Sequence, residues 1–282
     1  MVCGPTASGK SGLADGLAEG LESASGCRTP TIVVDSMQVY RELPVVTNQS
    51  RYREAELTGV ASVFEDWTVA RHKEAAERVI RQTQGPFVLD AGTGMYLNSI
   101  ILDVGLAPKV SAEVRDEAER RAGTEDNPRR EARRIELELA GAKQRGSIWG
   151  GELLYPTAML YIRPEREELD RNIAERSRKI ARDGAEEVSE VLRRSRELSI
   201  NPNDSVEQSI GFREMAAYVR GEATLQWAEQ KISSRTRRLA RRQIRWFDKL
   251  CGSLPEARVE VCESPHSERA ASYMRGIIEA WQ

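Results

Sequence analysis

Eight residues near the start of the chain, Gly4-Pro5-Thr6-Ala7-Ser8-Gly9-Lys10-Ser11, have the G-x-x-x-x-G-K-[ST] spacing of a phosphate-binding loop. The chemistry is anion binding. Gly4 and Gly9 let backbone N–H groups close around a diphosphate, Lys10 adds a point charge, and the Ser11 hydroxyl at a helix N-terminus can ligate Mg²⁺. The chain therefore binds a phosphorylated ligand, and its use of that ligand must be read from other residues. Asp35 closes the apolar run Thr31–Val34 and opens Asp35-Ser36-Met37-Gln38-Val39-Tyr40-Arg41. A carboxylate there can hold Mg²⁺ through water, take a proton from an incoming nucleophile, or cap the next helix. Gly92-Thr93-Gly94 offers a hydroxyl and a flexible turn. Six arginines (235, 237, 238, 241, 242 and 245) fall between Ser233 and Arg245 with no acid among them, the footprint of polyanion contact.

These groups need a frame. Met1–Cys3 reads as a first strand and Ser11 to about Ser23 as a helix, with Leu13, Leu17 and Leu21 four residues apart. Thr31–Val34 reads as a second, buried parallel strand and Pro86–Leu89 as a third, with a helix from Trp67 to about Gln82 between them. Asp90 then stands at a strand end, in the position of a Mg²⁺-side acid of a nucleotide hydrolase. An apolar helix, Met95–Leu102, follows. Strand, Gly-rich loop and helix in repetition predict an α/β fold, a doubly wound parallel sheet holding its ligand at the carboxyl edge. Lys109 to about Gly146 is densely charged and poor in apolar residues, and is expected to be a small helical lobe inserted into a core of residues 1–108 and 147–282. Solvated helices without function are the plain alternative for that stretch. Thr157–Ile162 reads as a returning strand, Glu165 to Leu198 as two charged helices broken near Asp183-Gly184, and Ser209–Arg213 as a turn before a helix to Val219. Gln226–Leu250 reads as one long helix, with Ile232, Leu239, Ile244, Phe247 and Leu250 for the core and arginines 237, 241 and 245 along one face. The last thirty residues give no clear pattern.

At 282 residues the chain can bury a substantial core, and its 40% hydrophobic content is that of a soluble globular protein. No run approaches the ~18 apolar residues of a membrane span. The phosphate loop begins at residue 4, so no leader is expected, and the protein is expected to be cytoplasmic and a monomer. Cys3, Cys27, Cys251 and Cys262 show no C-x-x-C spacing. Neither a disulfide framework nor a zinc site is expected, and Cys251, Cys262 and His266 are read as scattered structural residues. Net charge is −2, so any polyanion contact must be local to the arginine helix.

Taken in order, Gly4–Ser11, Asp35–Arg41, Gly92-Thr93-Gly94-Met95-Tyr96-Leu97, Ile210-Gly211-Phe212-Arg213-Glu214 and Thr236–Phe247 resemble the signature blocks of the tRNA dimethylallyltransferases. The resemblance spans residue 4 to about 250. It implies transfer of a dimethylallyl group from dimethylallyl diphosphate to N6 of an adenosine next to the anticodon of tRNA, with Mg²⁺ as cofactor. It further implies that Gly4, Pro5, Thr6, Ala7, Ser8, Gly9, Lys10 and Ser11 hold the donor diphosphate, with Ser11 on the metal. Asp35 would be the general base, with Thr93 and Arg237 completing the catalytic set. Asp35, Ser36, Met37, Gln38, Thr93, Arg133, Arg241 and Arg245 would meet the anticodon stem-loop. Arg133 belongs to Arg133-Arg134-Ile135-Glu136, in an inserted lobe shorter than the family's. The residues alone also admit the same chemistry on free adenine nucleotides, a phosphate-loop kinase acting on a small molecule, and an RNA-binding relative without activity.

Overall fold

The computed structural model describes residues 1–106, 110–123, 128–141, 148–254 and 258–281. Five parallel strands form one sheet in the order β2-β3-β1-β4-β5. They are β1 (Val2–Cys3), β2 (Thr31–Val34), β3 (Val88–Ala91), β4 (Ala158–Ile162) and β5 (Arg258–Cys262). The short β1 lies at the centre, pairing Val2 with Asp90 on one side and with Leu160 on the other. β2 and β4 occupy their expected positions. β3 begins two residues later than expected, at Val88, so Asp90 lies inside the strand instead of just past its end. β5 was not expected; it pairs with β4 along its whole length as the edge strand.

Successive strand residues point to opposite faces, and both faces are covered. Val2, Val88, Leu160 and Ile162 meet α1 (Lys10–Ser25) and α11 (Glu268–Glu279) through Ala14, Leu17, Ala18, Leu21 and Ala270. Cys3, Ile32, Val34, Leu89, Met159 and Tyr161 face the larger core, built on α2 (Val69–Gln82), α3 (Gly94–Ile101), α7 (Ala185–Leu198), α9 (Phe212–Val219) and α10 (Leu225–Gly252). α6 (Arg166–Asp183) meets α7 at Gly184, where the break was expected, and the one-turn α8 (Asp204–Glu207) leads into α9. α10 is 28 residues long and is opened by the Thr224 hydroxyl, which accepts from Trp227 N at 3.1 Å. It buries Ile232, Phe247 and Leu250 as expected, and Ala240 in addition, while Leu239 and Ile244 are only half-buried.

α4 (Ala112–Ala122) and α5 (Pro128–Leu139) pack on each other through Ala118, Ala122, Ala132 and Ile135, a small apolar cluster of their own. The expected lobe boundaries at 108/109 and 146/147 lie outside the described residues, as do Lys109, Lys143 and Arg145.

Candidate active site

β1, β2 and β3 end side by side, which brings three loops to one edge of the sheet. The phosphate loop leaves β1 and turns through Ala7 and Gly9, both left-handed at φ 64° and 80°. That path delivers the chain into α1, whose N-cap is Gly9 and whose first turn carries no acid. Such a helix end has its positive pole open to an anion. Gly4 is packed so closely that a Cβ would lie 2.6 Å from Ile162 O. Ser8 Oγ is buried without a hydrogen-bond partner.

Asp35 follows β2, and its two oxygens have different tasks. Oδ1 accepts from Met37 N at 2.8 Å and Gln38 N at 3.2 Å, so the capping use foreseen for the carboxylate is realised by this oxygen. Oδ2 turns toward Gly92 and the phosphate-loop lysine. A Cβ on Gly92 would stand 2.9 Å from Asp35 Oδ2 and 3.6 Å from Lys10 Nζ. The missing side chain of Gly92 is therefore what leaves space between acid and cation. Thr93 fixes this rim: Gly92 N and Thr93 N donate to Val34 O, and Thr93 Oγ1 accepts from Ser36 N at 3.2 Å. Behind Asp35 sits His72, fully buried, accepting from Trp67 Nε1 at 3.0 Å and packed against the Tyr96 ring. Burial pulls its pKa down to about 4, against a smaller upward pull from Asp35.

Three groups at this edge were not foreseen. Gln243, from α10, accepts from Thr6 N at 2.9 Å and donates to Gly92 O at 2.8 Å, tying the phosphate loop to the Gly92 turn. Arg176, from α6, donates to Thr6 Oγ1 at 2.8 Å and to Thr47 O at 3.4 Å. Arg51 donates to Asp15 at 2.5 Å, Asp90 at 2.6 Å and Ser11 O at 3.3 Å, with all three charged side chains at most 5% exposed. Asp90 is therefore not an open carboxylate at the cleft. One of its oxygens is bound to Arg51, and the other is buried without a hydrogen-bond partner.

The arginines of α10 divide into two sets. Arg235 is spent on Glu214 and the carbonyls of Gln208 and Ser209. Arg237 pairs with Asp170 at 3.0 Å, in a groove of about 330 Å³ between α6 and α10 that Arg241 also lines. Among the described residues no carboxylate lies within 4 Å of Arg238, Arg241, Arg242 or Arg245, and all four are exposed. Their spacing of three, four and seven residues places them on one face, displaced from the 237/241/245 face expected from the sequence. Arg133 pairs with Glu136 on α5.

Against known proteins, the model of the family described as IPP transferase matches residues 38–145 and 123–250. The tRNA dimethylallyltransferase of Rubrobacter xylanophilus is 54% identical over 287 residues, spanning 99% of this chain and 97% of that protein. The chain belongs to the IPP transferase family. A tRNA dimethylallyltransferase of Rickettsia bellii is 30% identical, over 88% of this chain and 86% of its own. Among solved structures, the tRNA isopentenylpyrophosphate transferase of Bacillus halodurans aligns at a TM-score of 0.66 and 22% identity, covering 99% of this chain and 96% of its own. A eukaryotic dimethylallyltransferase acting on tRNA aligns at 0.73 and 19%, covering 99% and 79%. These likenesses show that the phosphate-loop sheet described above is the fold of this IPP transferase. Within it, the loops carrying Gly4–Ser11, Asp35–Gln38 and Gly92–Thr93 meet at one crevice; Arg241 and Arg245 are exposed on α10, the helix that sends Gln243 into it, and Arg133 is on α5.

Proposed function

We propose that this IPP transferase moves the dimethylallyl group of dimethylallyl diphosphate onto N6 of an adenosine beside the anticodon of tRNA. The observation that carries the reading is the juxtaposition of Asp35 Oδ2 with Lys10 across Gly92, an acid facing the mouth of an anion cradle. The phosphate loop holds the diphosphate through the positive end of α1 and Lys10. The carbon–oxygen bond of the donor breaks with its electron pair going to the diphosphate, and the adenine nitrogen forms the new carbon–nitrogen bond. An exocyclic amine is a weak nucleophile, so its proton must leave as that bond forms. Asp35 Oδ2 accepts it, while two backbone N–H groups on Oδ1 keep the carboxylate in place. Thr93, holding the turn between them, sets the distance from base to donor.

Mg²⁺ fits this edge. Ser11 presents a hydroxyl at the first turn of α1, and Asp90 retains one buried oxygen without a partner, both hard donors. When bound, the ion shields the charge of the diphosphate. The target adenosine must leave its stack to reach Asp35, and Ser36, Met37 and Gln38 line the approach. The exposed arginines of α10 that pair with no carboxylate among the described residues, together with Arg133 of α5, supply sequence-independent contacts to RNA phosphates.

Labelled dimethylallyl diphosphate offered with unmodified tRNA and, separately, with AMP tests the reading. Label is expected in tRNA at an adenosine next to the anticodon. Label in AMP with tRNA unlabelled would overturn the acceptor, and ATP turnover without prenyl transfer would overturn the chemistry.

A further inference from the structure

We propose that Trp227 is a stacking platform for an unpaired base of the anticodon loop, set at the end of α10 far from the crevice; this rests on the reading just given. The basic face of α10 is longer than its arginines suggest. At 3.6 residues per turn, Trp227, Lys231, Arg238, Arg242, Arg245 and Lys249 fall within about 60° of one line along the helix. Each of them is exposed. Asp248, beside that line, is already bound by Arg163 and Tyr161, each at 3.0 Å. Glu229 lies about 160° round the helix from Trp227. The face is therefore cationic, on a chain whose net charge is −2.

Cations alone ask only for phosphates, and Trp227 adds a surface that phosphates do not use. It is 41% exposed, while its neighbours Ala228 and Ile232 on the inner side of the helix are fully buried. Lys231, one turn on, holds its ammonium 5.8 Å from the centroid of the ring. Tyr218 and Leu225, on either side of the turn joining α9 to α10, are also more than a third exposed. Large apolar side chains left together in water mark a contact surface. A ring set among cations suits single-stranded RNA, whose bases stack on the ring while the cations take the phosphates. The flanking charge selects a polyanion over an apolar protein surface. A duplex keeps its bases inside and offers the ring nothing, so the occupant is an unpaired base. Gln243, which enters the crevice, lies about 24 Å further along the axis. The base on Trp227 is therefore a different nucleotide from the adenosine at Asp35. Every base has a π face, so the platform fixes the register of the loop without demanding a sequence.

The test uses the whole chain with Trp227→Ala, Trp227→Phe and Lys231→Gln. Two RNAs are titrated by fluorescence anisotropy, an unmodified anticodon stem-loop and a blunt duplex of the same length without unpaired bases. Prenyl transfer to tRNA gives kcat and KM, and the thermal midpoint reports folding. In Trp227→Ala, stem-loop affinity is expected to fall by about 5- to 150-fold, the range for losing one base–aromatic stack. The slope of log affinity against log salt is expected to hold, because no charge is removed. Duplex affinity is expected to hold as well, and the loss in transfer to fall in KM for tRNA. Trp227→Phe is expected to recover most of the loss, and Lys231→Gln to lower the salt slope by about 0.7, one counterion on a single strand. The thermal midpoint is expected to stay, since alanine suits a helix and the cap bond to Thr224 uses only the backbone N–H of residue 227. Stem-loop affinity within twofold of the unaltered protein in Trp227→Ala overturns the platform. Equal losses on stem-loop and duplex also overturn it, since a structural residue or a phosphate contact would behave that way. If Trp227→Ala does not fold, Trp227→Leu, apolar but without a π face, supplies the same titrations. An unaltered protein that binds the stem-loop but transfers no prenyl group would sink the proposed function instead, leaving Trp227 to be judged on the titrations alone.

Discussion

Gly92→Ala places one methyl group between the two charges on which the proposed chemistry depends. The added Cβ would stand 2.9 Å from Asp35 Oδ2, with Lys10 Cε and Nζ each at 3.6 Å. A carbon–oxygen contact needs roughly half an ångström more, so one partner must withdraw. Asp35 cannot simply swing aside, because its other oxygen holds two backbone N–H groups at 2.8 and 3.2 Å. The carboxylate therefore shifts as a unit with its turn, or the Gly92 turn pulls away from Val34 O. Displacing a reacting group by about 1 Å costs on the order of 10²-fold in rate. Gly92 is not among the residues with positive φ, so the substitution imposes no backbone strain, and the thermal midpoint is expected to change little. Gly12→Ala is the matched control. It lies in the first turn of α1, with nothing within 4 Å of its added Cβ, and is expected to gain about 0.5–1 kcal/mol of stability while keeping activity. Single-turnover prenyl transfer to tRNA with saturating donor reads the chemical step directly. Gly92→Ala turning over within threefold of the unaltered protein would refute the claim that Asp35 Oδ2 and Lys10 frame the reacting atoms.

Asp35→Asn keeps the shape of the turn but removes the proton acceptor, so single-turnover transfer is expected to fall by about 10²–10⁴ while pyrophosphate affinity stays near normal; unimpaired transfer would reassign the base. Arg51→Ala strands Asp15 and Asp90 as buried carboxylates, and a loss of about 3–5 kcal/mol in denaturant unfolding is expected. A loss below 1 kcal/mol would show that water reaches the pair. His72 is buried with a pKa lowered to about 4, so the unfolded chain takes up its proton near pH 6.5 and the folded chain does not. Its contribution to stability is complete above pH 6.5 and declines as pH falls toward 4, by up to about 3 kcal/mol; His72→Gln is expected to flatten that part of the unfolding-versus-pH curve.

How far the sequence reaches depends on whether a feature is local. β2 and the break at Gly184 were legible because a β-branched run and a Gly after a charged helix act over a few residues. The phosphate loop, Asp35 and Thr93 were legible as separate motifs, and parallel pairing of β1, β2 and β3 then brings them to one edge. α11 could have been found: Ala270, Tyr273, Met274, Ile277 and Ile278 form a helical stripe, and Ser267 caps it by accepting from Ala270 N. β5 could not, because five alternating residues on an edge strand gain their meaning only from pairing with β4. Arg51, Arg176 and Gln243 stayed invisible for a related reason. Each sits among ordinary charged or polar neighbours, and its partner lies between 36 and 237 residues away. Spacing carries no signal over such separations. The α10 arginines illustrate the same limit. Composition reveals the cluster, but only the fold shows that Arg235 and Arg237 are already committed to carboxylates.

The amide of Gln243 admits a single orientation, since a backbone N–H must meet its oxygen and a backbone carbonyl its nitrogen. Glutamate would present an oxygen to the Gly92 carbonyl, and asparagine is one methylene short of spanning the gap. That side chain acts as a spacer gauge between two jaws, so the width of the cleft is set by the protein's own hydrogen bonds. Its rod, α10, bears the basic flank on the outside. A polynucleotide pressing on that flank meets the same rigid body that holds the jaws apart.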